Sequence, residues 1–254
     1  MVFAVDVGNT NIVIGCYEKG VLNFVSRLAT DTSRMEDQYA IEFSNILALY
    51  HCSPSCFEGA IISSVVPPLT PVLREALKKL LGCRVFVVSP ELKNGLDIKI
   101  KQPSILGSDL ICASVAAIKQ FSMPCIIADL GTATKIMALD SQGAFLGCSI
   151  MPGVNISLEA LSSRTAQLPQ INLESVTEVI GTTSIDSMKS GVVFGTASMI
   201  DGMIDRYAAI LGENVSVAAT GGLSGVIVPY CSHKIAVNPT LVLDGLYEIY
   251  QKNV

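Results

Sequence analysis

Two kinds of hydrophobic pattern alternate along the chain. Short apolar runs rich in β-branched residues predict strands at 2–7, 12–17, 21–28, 60–66, 85–88, 126–128 and 215–218. Between them lie stretches with helical periodicity, such as "EDQYAIEFSNILALY", "TPVLREALKKLLG" and "LGSDLICASVAAIKQF". Because strand and helix signals alternate, the pattern predicts an α/β architecture in which helices cover the sheets.

Individual polar residues and glycines predict where some of these elements begin and end. Ser33, followed three residues later by Glu36, has the spacing of a capping box and predicts the start of the first helix. Gly82 directly follows the second helical stretch and predicts its end. The charge-free stretch 214–232 contains several glycines and a proline, so it predicts a strand, a glycine turn and a short helix, not a membrane span of about 20 apolar residues.

An internal repeat is the strongest sign of how the chain is organised. The segment "VFAVDVGNTNIVIGCYEKG" at 2–20 resembles "CIIADLGTATKIMALDSQG" at 125–143, and each predicts a strand ending in Asp-x-Gly, a tight turn and a second strand. Two matched copies predict a duplicated domain, divided into 1–117 and 118–254, whereas two unrelated hairpins would be the alternative. Three pairs share one offset of 123 residues: Asp6 with Asp129, Gly8 with Gly131, and Gly20 with Gly143.

The polar turn in each copy suggests phosphate chemistry. A carboxylate at a strand end, followed by outward-pointing backbone N–H groups, can hold a hydrated divalent cation and phosphate oxygens. Asn9, Thr10 and Asn11 add side-chain donors. Two such turns facing each other across a cleft would hold the phosphates of a nucleotide, as in the actin, Hsp70 and sugar-kinase superfamily, which this chain resembles. The sequence has no GxxxxGK[ST] loop, but "VAATGGLSG" at 217–225 resembles the adenosine-binding element of that superfamily.

Composition excludes several other classes of function. Mean hydropathy is +0.52, but no uninterrupted apolar segment is long enough to span a membrane, and Asp6 within the first apolar run argues against a secretory signal. We therefore expect a cytoplasmic protein. The net charge of −5 without a basic run argues against nucleic-acid binding. The eight cysteines predict reduced thiols, although Cys52 and Cys56 in "CSPSC" could form a pair or bind a metal.

Six motifs in order identify a narrower resemblance. They are "DVGNTN", "GSD", "DLGTAT", "MPGVNISLEAL" followed by "RTAQLP", "SMKSGVVFG" and "ATGGL". Together they resemble the type III pantothenate kinases over nearly the whole chain. The resemblance implies a duplicated ribonuclease-H-like fold, two similar domains with mixed sheets flanked by helices, and a homodimer. It also implies ATP-dependent phosphorylation of pantothenate to 4′-phosphopantothenate at the start of coenzyme A synthesis, with Mg²⁺ and a monovalent cation, K⁺ or NH₄⁺.

The resemblance also implies roles for individual residues. Asp109 matches the general base that accepts the proton of the pantothenate hydroxyl, although a carboxylate at that position also suits a helix start. Asp6 would organise Mg²⁺ through the ATP phosphates, and Asp129 would hold the monovalent cation. The remaining ATP- and phosphate-binding residues would be Val7, Gly8, Asn9, Thr10, Asn11, Ile12, Val13 and Thr132, and those for the substrate would be Gly107, Ser108, Asp109, Leu110, Ser184 and Ile100.

This sequence departs from the family pattern mainly on the substrate side. Leu110 replaces the usual Arg, Ile100 replaces a Tyr, and Lys135 stands where a Thr is common. Three hypotheses therefore compete: an active pantothenate kinase, a non-catalytic nucleotide-binding paralogue that regulates or assists a partner, and a kinase of another small alcohol. Three retained carboxylates, Asp6, Asp109 and Asp129, favour an enzyme, whereas Leu110 and Ile100 favour the alternatives.

Overall fold

The computed structural model describes residues 1–89, 91–173, 178–212 and 214–254 of the 254-residue chain. The chain forms two compact units. The first unit comprises Met1–Leu96, Lys101–Ala116 and Leu241–Val254, and the second comprises Asp97–Ile100 and Ala117–Thr240. The sequence-based range 118–254 therefore includes a final segment that belongs to the first unit.

The described residues of the first unit form a five-stranded sheet and four α-helices, of which α3 continues into the second unit. Its elements are β1 (Val2–Val7), β2 (Asn11–Glu18), β3 (Val21–Ala29), α1 (Glu36–Leu49), β4 (Gly59–Ser64), α2 (Leu69–Leu81), β5 (Arg84–Val87) and α3 (Ser108–Gln120), together with the last helix of the chain, Leu241–Gln251.

The second unit contains another five-stranded sheet. Its elements are β6 (Cys125–Leu130), β7 (Ala133–Leu139), β8 (Phe145–Pro152), α4 (Val154–Arg164), α5 (Ser184–Leu211), β9 (Ser216–Thr220), α6 (Ser224–Ile227) and β10 (Ala236–Val237), and the helix Leu241–Gln251 that follows is α7. The stretch 214–232 thus forms a strand, a glycine turn and a short helix, as predicted. No helix in the described parts of the chain is long and apolar enough to cross a membrane.

The two sheets have the same topology. The first has the strand order β3-β2-β1-β4-β5, and the second has β8-β7-β6-β9-β10. In each, the first three strands form an antiparallel meander, and the fourth strand pairs with the first in parallel. The duplicated α/β fold predicted from the repeat is confirmed.

Strand β1 is apolar at nearly every position because both faces of its sheet are covered. Phe3, Val5 and Val7 pack into a core with residues of α1 and α2, whereas Val2 and Ala4 pack into a second core with residues of α3 and α7. A strand buried on both faces loses the alternation of polar and apolar positions. This explains why Asp6 stands out as the polar residue of "VFAVDV".

The two predicted helix ends had different outcomes. Gly82 has a left-handed conformation with φ of 62° and ends α2, as predicted. The capping box at Ser33 was wrong, because the hydroxyl of Ser33 donates to Asp31 at 2.6 Å. Helix α1 instead has its N-cap at Met35, whose backbone N–H donates to Gln38 Oε1 at 2.9 Å.

Helix α7 joins the first unit through close, specific contacts. A Cβ at Gly245 would overlap the carbonyl of Cys112 in α3, so only glycine permits this approach. The hydroxyl of Tyr17 donates to Asp244 at 2.6 Å, and Lys252 Nζ donates to the carbonyl of Asn94 at 2.7 Å. These contacts over long sequence distances place the last helix against the first sheet.

Candidate active site

Asp6 lies at the carboxyl end of the central strand of the first sheet. Its neighbour in the parallel strand β4 is Ser63, whose hydroxyl donates to Asp6 Oδ1 at 2.9 Å. Ser63 Oγ is also 3.0 Å from the hydroxyl of Ser108, which accepts the backbone N–H of Ser64 at 2.9 Å. Hydrogen bonds thus connect the strand end that bears Asp6 to the start of α3.

The turn after β1 is held in a fixed shape. The N–H of Gly8 donates to the carbonyl of Asn11 at 2.9 Å, which closes the turn. Thr30, just after β3, donates its hydroxyl to the carbonyl of Gly8 at 2.6 Å and its N–H to the carbonyl of Thr10 at 3.0 Å. Asn9, Thr10 and Asn11 are exposed on this braced turn, whereas Val7 and Ile12 are buried and Val13 is half-buried.

Asp109 lies in the first turn of α3, close to the network that contains Asp6. The buried thiol of Cys112 has a raised pKa, chiefly because of its burial and also because of the negative charges of Asp6 and Asp109. Both carboxylates therefore act on one buried group. Gly107 allows this arrangement, since a Cβ there would lie 2.5 Å from Asp109 Oδ1.

Leu110 points away from water. Its side chain is only 6% exposed, whereas Asp109 beside it is half-buried. Ser108 is also buried and is fixed by its bonds to the β4 end. Residues 107–110 therefore form one structured segment, in which the carboxylate of Asp109 is more exposed than the side chains on either side of it.

The second copy of the aspartate has a different neighbour. Asp129 is the penultimate residue of β6 and is paired in register with Thr220 of β9 and Lys135 of β7. Lys135 Nζ lies 2.9 Å from Asp129 Oδ2, and the two side chains are 17% and 12% exposed. In the first copy Asp6 is instead opposite Val13, because the turn between the strands is one residue longer there.

Two glycines pack closely against the second turn. A Cβ at Gly153 would overlap the carbonyl of Thr132, and a Cβ at Gly221 would lie 2.5 Å from the carbonyl carbon of Leu130. Gly221 also has a positive φ of 90°, which favours glycine. The backbone on either side of Gly131 is therefore held by the segments after β8 and β9, while the side chain of Thr132 remains exposed.

Two expected substrate residues belong to the second unit. Ile100 is half-buried and follows Lys99, whose N–H donates to the carbonyl of Phe145 at 2.8 Å. Ser184 is exposed at the start of α5, next to Thr183, whose hydroxyl accepts the N–H of Asp186 at 3.1 Å and caps the helix. The structure joins Gly107, Ser108, Asp109 and Leu110 to Asp6 within the first unit.

The donor groups suit a magnesium ion that is bound mainly through phosphates. The described residues contain no cluster of three or more His, Cys, Asp or Glu side chains that could hold a metal by themselves. Mg²⁺ commonly retains several waters and takes one or two carboxylates together with substrate phosphates. Asp6, beside a turn of exposed donors, fits that pattern.

Three residues that were not expected from the sequence also shape the site. Ser63 holds Asp6, Thr30 braces the first turn, and Gly153 packs on the second. One signal could have revealed Ser63: two serines end an otherwise apolar strand, "GAIISS", and the parallel pairing of this strand with β1 brings Ser63 next to Asp6. The role of Thr30 depends on strand pairing that no local pattern shows.

Several solved structures share this fold. The chain resembles a Baf family protein from Campylobacter jejuni with a TM-score of 0.62 and 20% identity, covering 99% of this chain and 98% of that one. It resembles the activator of 2-hydroxyisocaproyl-CoA dehydratase from Clostridium difficile, solved with bound ADPNP, with a TM-score of 0.56 and 13% identity, covering 100% and 97%. It also resembles the ROK hexokinase from Thermus thermophilus, with a TM-score of 0.54 and 12% identity, covering 99% of both chains. The fold is that of the actin-like ATPases and sugar kinases.

Sequence comparison identifies the family. The family model described as type III pantothenate kinase matches residues 2–206. A type III pantothenate kinase from Koribacter versatilis is 37% identical over 100% of this chain and 96% of its own length, and one from Exiguobacterium sibiricum is 38% identical over 100% of both. The chain belongs to the type III pantothenate kinase family. A kinase with this fold uses ATP together with a divalent metal ion.

Proposed function

We propose that this protein transfers the γ-phosphoryl group of ATP to pantothenate and so makes 4′-phosphopantothenate, the first step of coenzyme A synthesis. The observation that supports this most is the connection between Asp6 and the start of α3, where Asp109 lies, through Ser63 and Ser108. This connection would place the Asp6 carboxylate on the side of the metal and phosphates, and the Asp109 carboxylate on the side of the pantothenate hydroxyl. Membership of the family supports the same reaction.

In this proposal Asp109 is the general base. Its carboxylate accepts the proton of the primary hydroxyl of pantothenate as that oxygen attacks the γ-phosphorus in line, and ADP leaves. A carboxylate is a weak base for an alcohol, so positioning and charge neutralisation supply most of the rate. Gly107 gives the Asp109 carboxylate its space, and the bonds of Ser108 fix the backbone that carries it.

Asp6 and the two turns would bind ATP. Mg²⁺ neutralises charge on the phosphates when it is bound. Asp6 would hold the hydrated metal, and the first turn, from Gly8 to Asn11, would donate to phosphate oxygens. Thr132 would contribute its exposed hydroxyl from the second turn. Because Thr30 and Gly153 hold these turns in shape, little conformational entropy needs to be lost on binding.

The substrate side departs from the family pattern given in the sequence analysis, in which an arginine follows the aspartate. Leu110 is buried, so we propose that it shapes the wall of the site through packing and that polar contacts to pantothenate come from Ser184 and the backbone at Gly107. Ile100 would add an apolar contact. A buried leucine at this position favours a rebuilt pocket over a weakened one.

We also propose a homodimer that forms through the second unit. Strand β8 lies at the edge of its sheet, and its side chains Leu146 and Ile150 are 39% and 68% exposed. Ile210 of α5 is 79% exposed and lines an apolar depression that also includes Leu146. Edge strands and contiguous exposed apolar groups favour association with another chain. Light scattering of the wild type and of Ile150→Lys would test this.

Two further proposals concern the surroundings of the reaction. All eight cysteines carry thiols and none forms a disulfide, Cys52 and Cys56 included, which supports a reducing cytoplasm. The resemblance implies a positively charged monovalent cation beside Asp129. In this protein the ammonium group of Lys135 lies beside that carboxylate, with Nζ 2.9 Å from Asp129 Oδ2, and it would supply the positive charge.

An assay of ADP formation, with the product identified by mass spectrometry, tests the proposed reaction. The purified protein with ATP and Mg²⁺ should phosphorylate pantothenate. Binding of ATP without turnover of any alcohol would favour the non-catalytic paralogue, and turnover of a related alcohol alone would favour altered specificity. Four curated relatives at 36–38% identity are named type III pantothenate kinases, which supports the first outcome.

A further inference from the structure

Lys135 and Asp129 form a sheltered ion pair inside the second unit. The two residues are directly opposite each other on β7 and β6, and Lys135 Nζ lies 2.9 Å from Asp129 Oδ2. Their side chains are 17% and 12% exposed, unlike the surface pair of Lys99 and Asp97, in which both are more than half exposed. A sheltered pair is screened little by dissolved salt.

The pair is specific to the second copy of the duplicated hairpin. The residue opposite Asp6 is Val13, which carries no charge, and Asp6 takes a hydrogen bond from Ser63 of the neighbouring parallel strand. In the second copy the neighbour in that strand is Thr220, and the residue opposite the aspartate is a lysine. The residue opposite the aspartate is therefore an uncharged valine in one copy and a lysine in the other.

We propose that Lys135 is a built-in cation: its ammonium group supplies the positive charge beside Asp129, so this protein binds nucleotide and works without a free monovalent cation. A carboxylate that is 12% exposed needs a partner of opposite charge, and the chain itself provides one. A dissolved cation at the same carboxylate would meet a like charge held nearby by the strand pairing. The inference rests on the proposed function and specifies how one part of that site works.

Binding measurements in different salts test this inference separately from catalysis. ADP affinity and melting temperature would be measured in potassium chloride and in choline chloride at equal ionic strength, and Tl⁺ binding would be followed by ²⁰⁵Tl NMR. The wild type should give the same ADP affinity in both salts, within twofold, and no bound Tl⁺. An ADP affinity more than fivefold tighter in potassium, or a bound Tl⁺ ion, would overturn the proposal.

Two variants of Lys135 test the effect of its charge separately from the effect of its volume. Lys135→Thr removes the ammonium group and leaves room for an ion, so its ADP affinity should become at least fivefold tighter in potassium than in choline. Lys135→Met fills a similar volume without the charge, and its melting temperature should be lower than that of the wild type in both salts. Lys99→Thr, in the exposed pair with Asp97, is the matched control and should behave as the wild type.

The possible failures are distinguishable. If the wild type binds ADP equally in both salts but does not phosphorylate pantothenate, the proposed reaction is wrong and the role of Lys135 stands. If it phosphorylates pantothenate but only in potassium, the reaction stands and Lys135 is not the cation. A soluble Lys135→Thr variant without any response to potassium also contradicts the proposal, and should that variant not fold, the wild-type Tl⁺ and ADP measurements decide.

Discussion

The backbone of Gly153 lies against the carbonyl of Thr132, with no room for a Cβ between them. Gly153 directly follows β8, and Thr132 is in the turn between β6 and β7. The turn between β6 and β7 is therefore positioned by the absence of a side chain at Gly153. This relationship gives the first of four predictions.

Gly153→Ala should weaken ATP binding and lower stability. The added methyl group must displace either the turn at Thr132 or the start of α4, and overlap of this kind typically costs about 1–3 kcal/mol. We expect a higher KM for ATP and a lower melting temperature. Gly202→Ala is the control, because its Cβ would meet nothing closer than Arg206 Nη1, at 3.4 Å. Equal behaviour of the two variants would show that the contact does not position the turn.

Asp109→Asn should abolish turnover without abolishing nucleotide binding. General-base catalysis typically contributes about 10²–10⁴-fold, so kcat should fall within that range, while the dissociation constant for ADP should stay within about twofold. Steady-state kinetics and calorimetry measure the two effects. Asp205→Asn removes an exposed carboxylate of the second unit and should leave both unchanged. A kcat like that of the wild type would exclude Asp109 as the base.

Leu110→Arg should harm this protein, although it restores the arginine of the family pattern given in the sequence analysis. The leucine side chain is 6% exposed, so a guanidinium at this position would be buried in a site packed for an apolar group. We expect a loss of about 2–5 kcal/mol in the free energy of unfolding and no improvement in kcat/KM for pantothenate. Leu110→Met conserves volume and should cost less than about 1.5 kcal/mol. An improved kcat/KM in Leu110→Arg would instead indicate a weakened form of the usual pocket.

The free energy of unfolding should fall as pH rises above 9. Burial in β2, with Cys52 nearby, raises the pKa of the Cys16 thiol from 9.0 to about 12. Between these values the unfolded chain releases a proton that the native state keeps, so this thiol lowers stability by up to about 1.4 kcal/mol per pH unit.

Urea unfolding between about pH 8 and pH 10.5 measures that slope. Cys16→Ala should make the slope shallower, whereas Cys56→Ala, which removes an exposed thiol, should leave it unchanged. Identical slopes in the wild type and Cys16→Ala would show that the Cys16 thiol does not contribute.

Local patterns predicted the repeat and most of the strands, because the residues that specify them are close in sequence, but they did not predict β8 or β10. Apolar runs that end in Asp-x-Gly predicted β1 and β6, and the observed sheets share one topology. The capping box failed because Ser33 had a nearer partner in Asp31, which the spacing rule does not consider.

The sequence could not show partnerships that depend on register. An ungapped alignment with one offset hides the shorter turn of the second copy, and that turn is what places Lys135 opposite Asp129. Ser63 and Thr30 act through strands that are distant in sequence from Asp6. Among the expected site residues, those from Gly107 to Leu110 could be grouped from the sequence because they are consecutive, whereas their connection to Asp6 required the structure.

The return of α7 to the first sheet has a consequence for how the chain folds during synthesis. Gly245 packs on Cys112, and Asp244 accepts a hydrogen bond from Tyr17, so the core of the first unit lacks one wall until residues 241–251 have left the ribosome. The second unit, which ends at Thr240, is complete earlier. The first unit therefore needs a segment that is translated after the whole second unit to complete the core around β1.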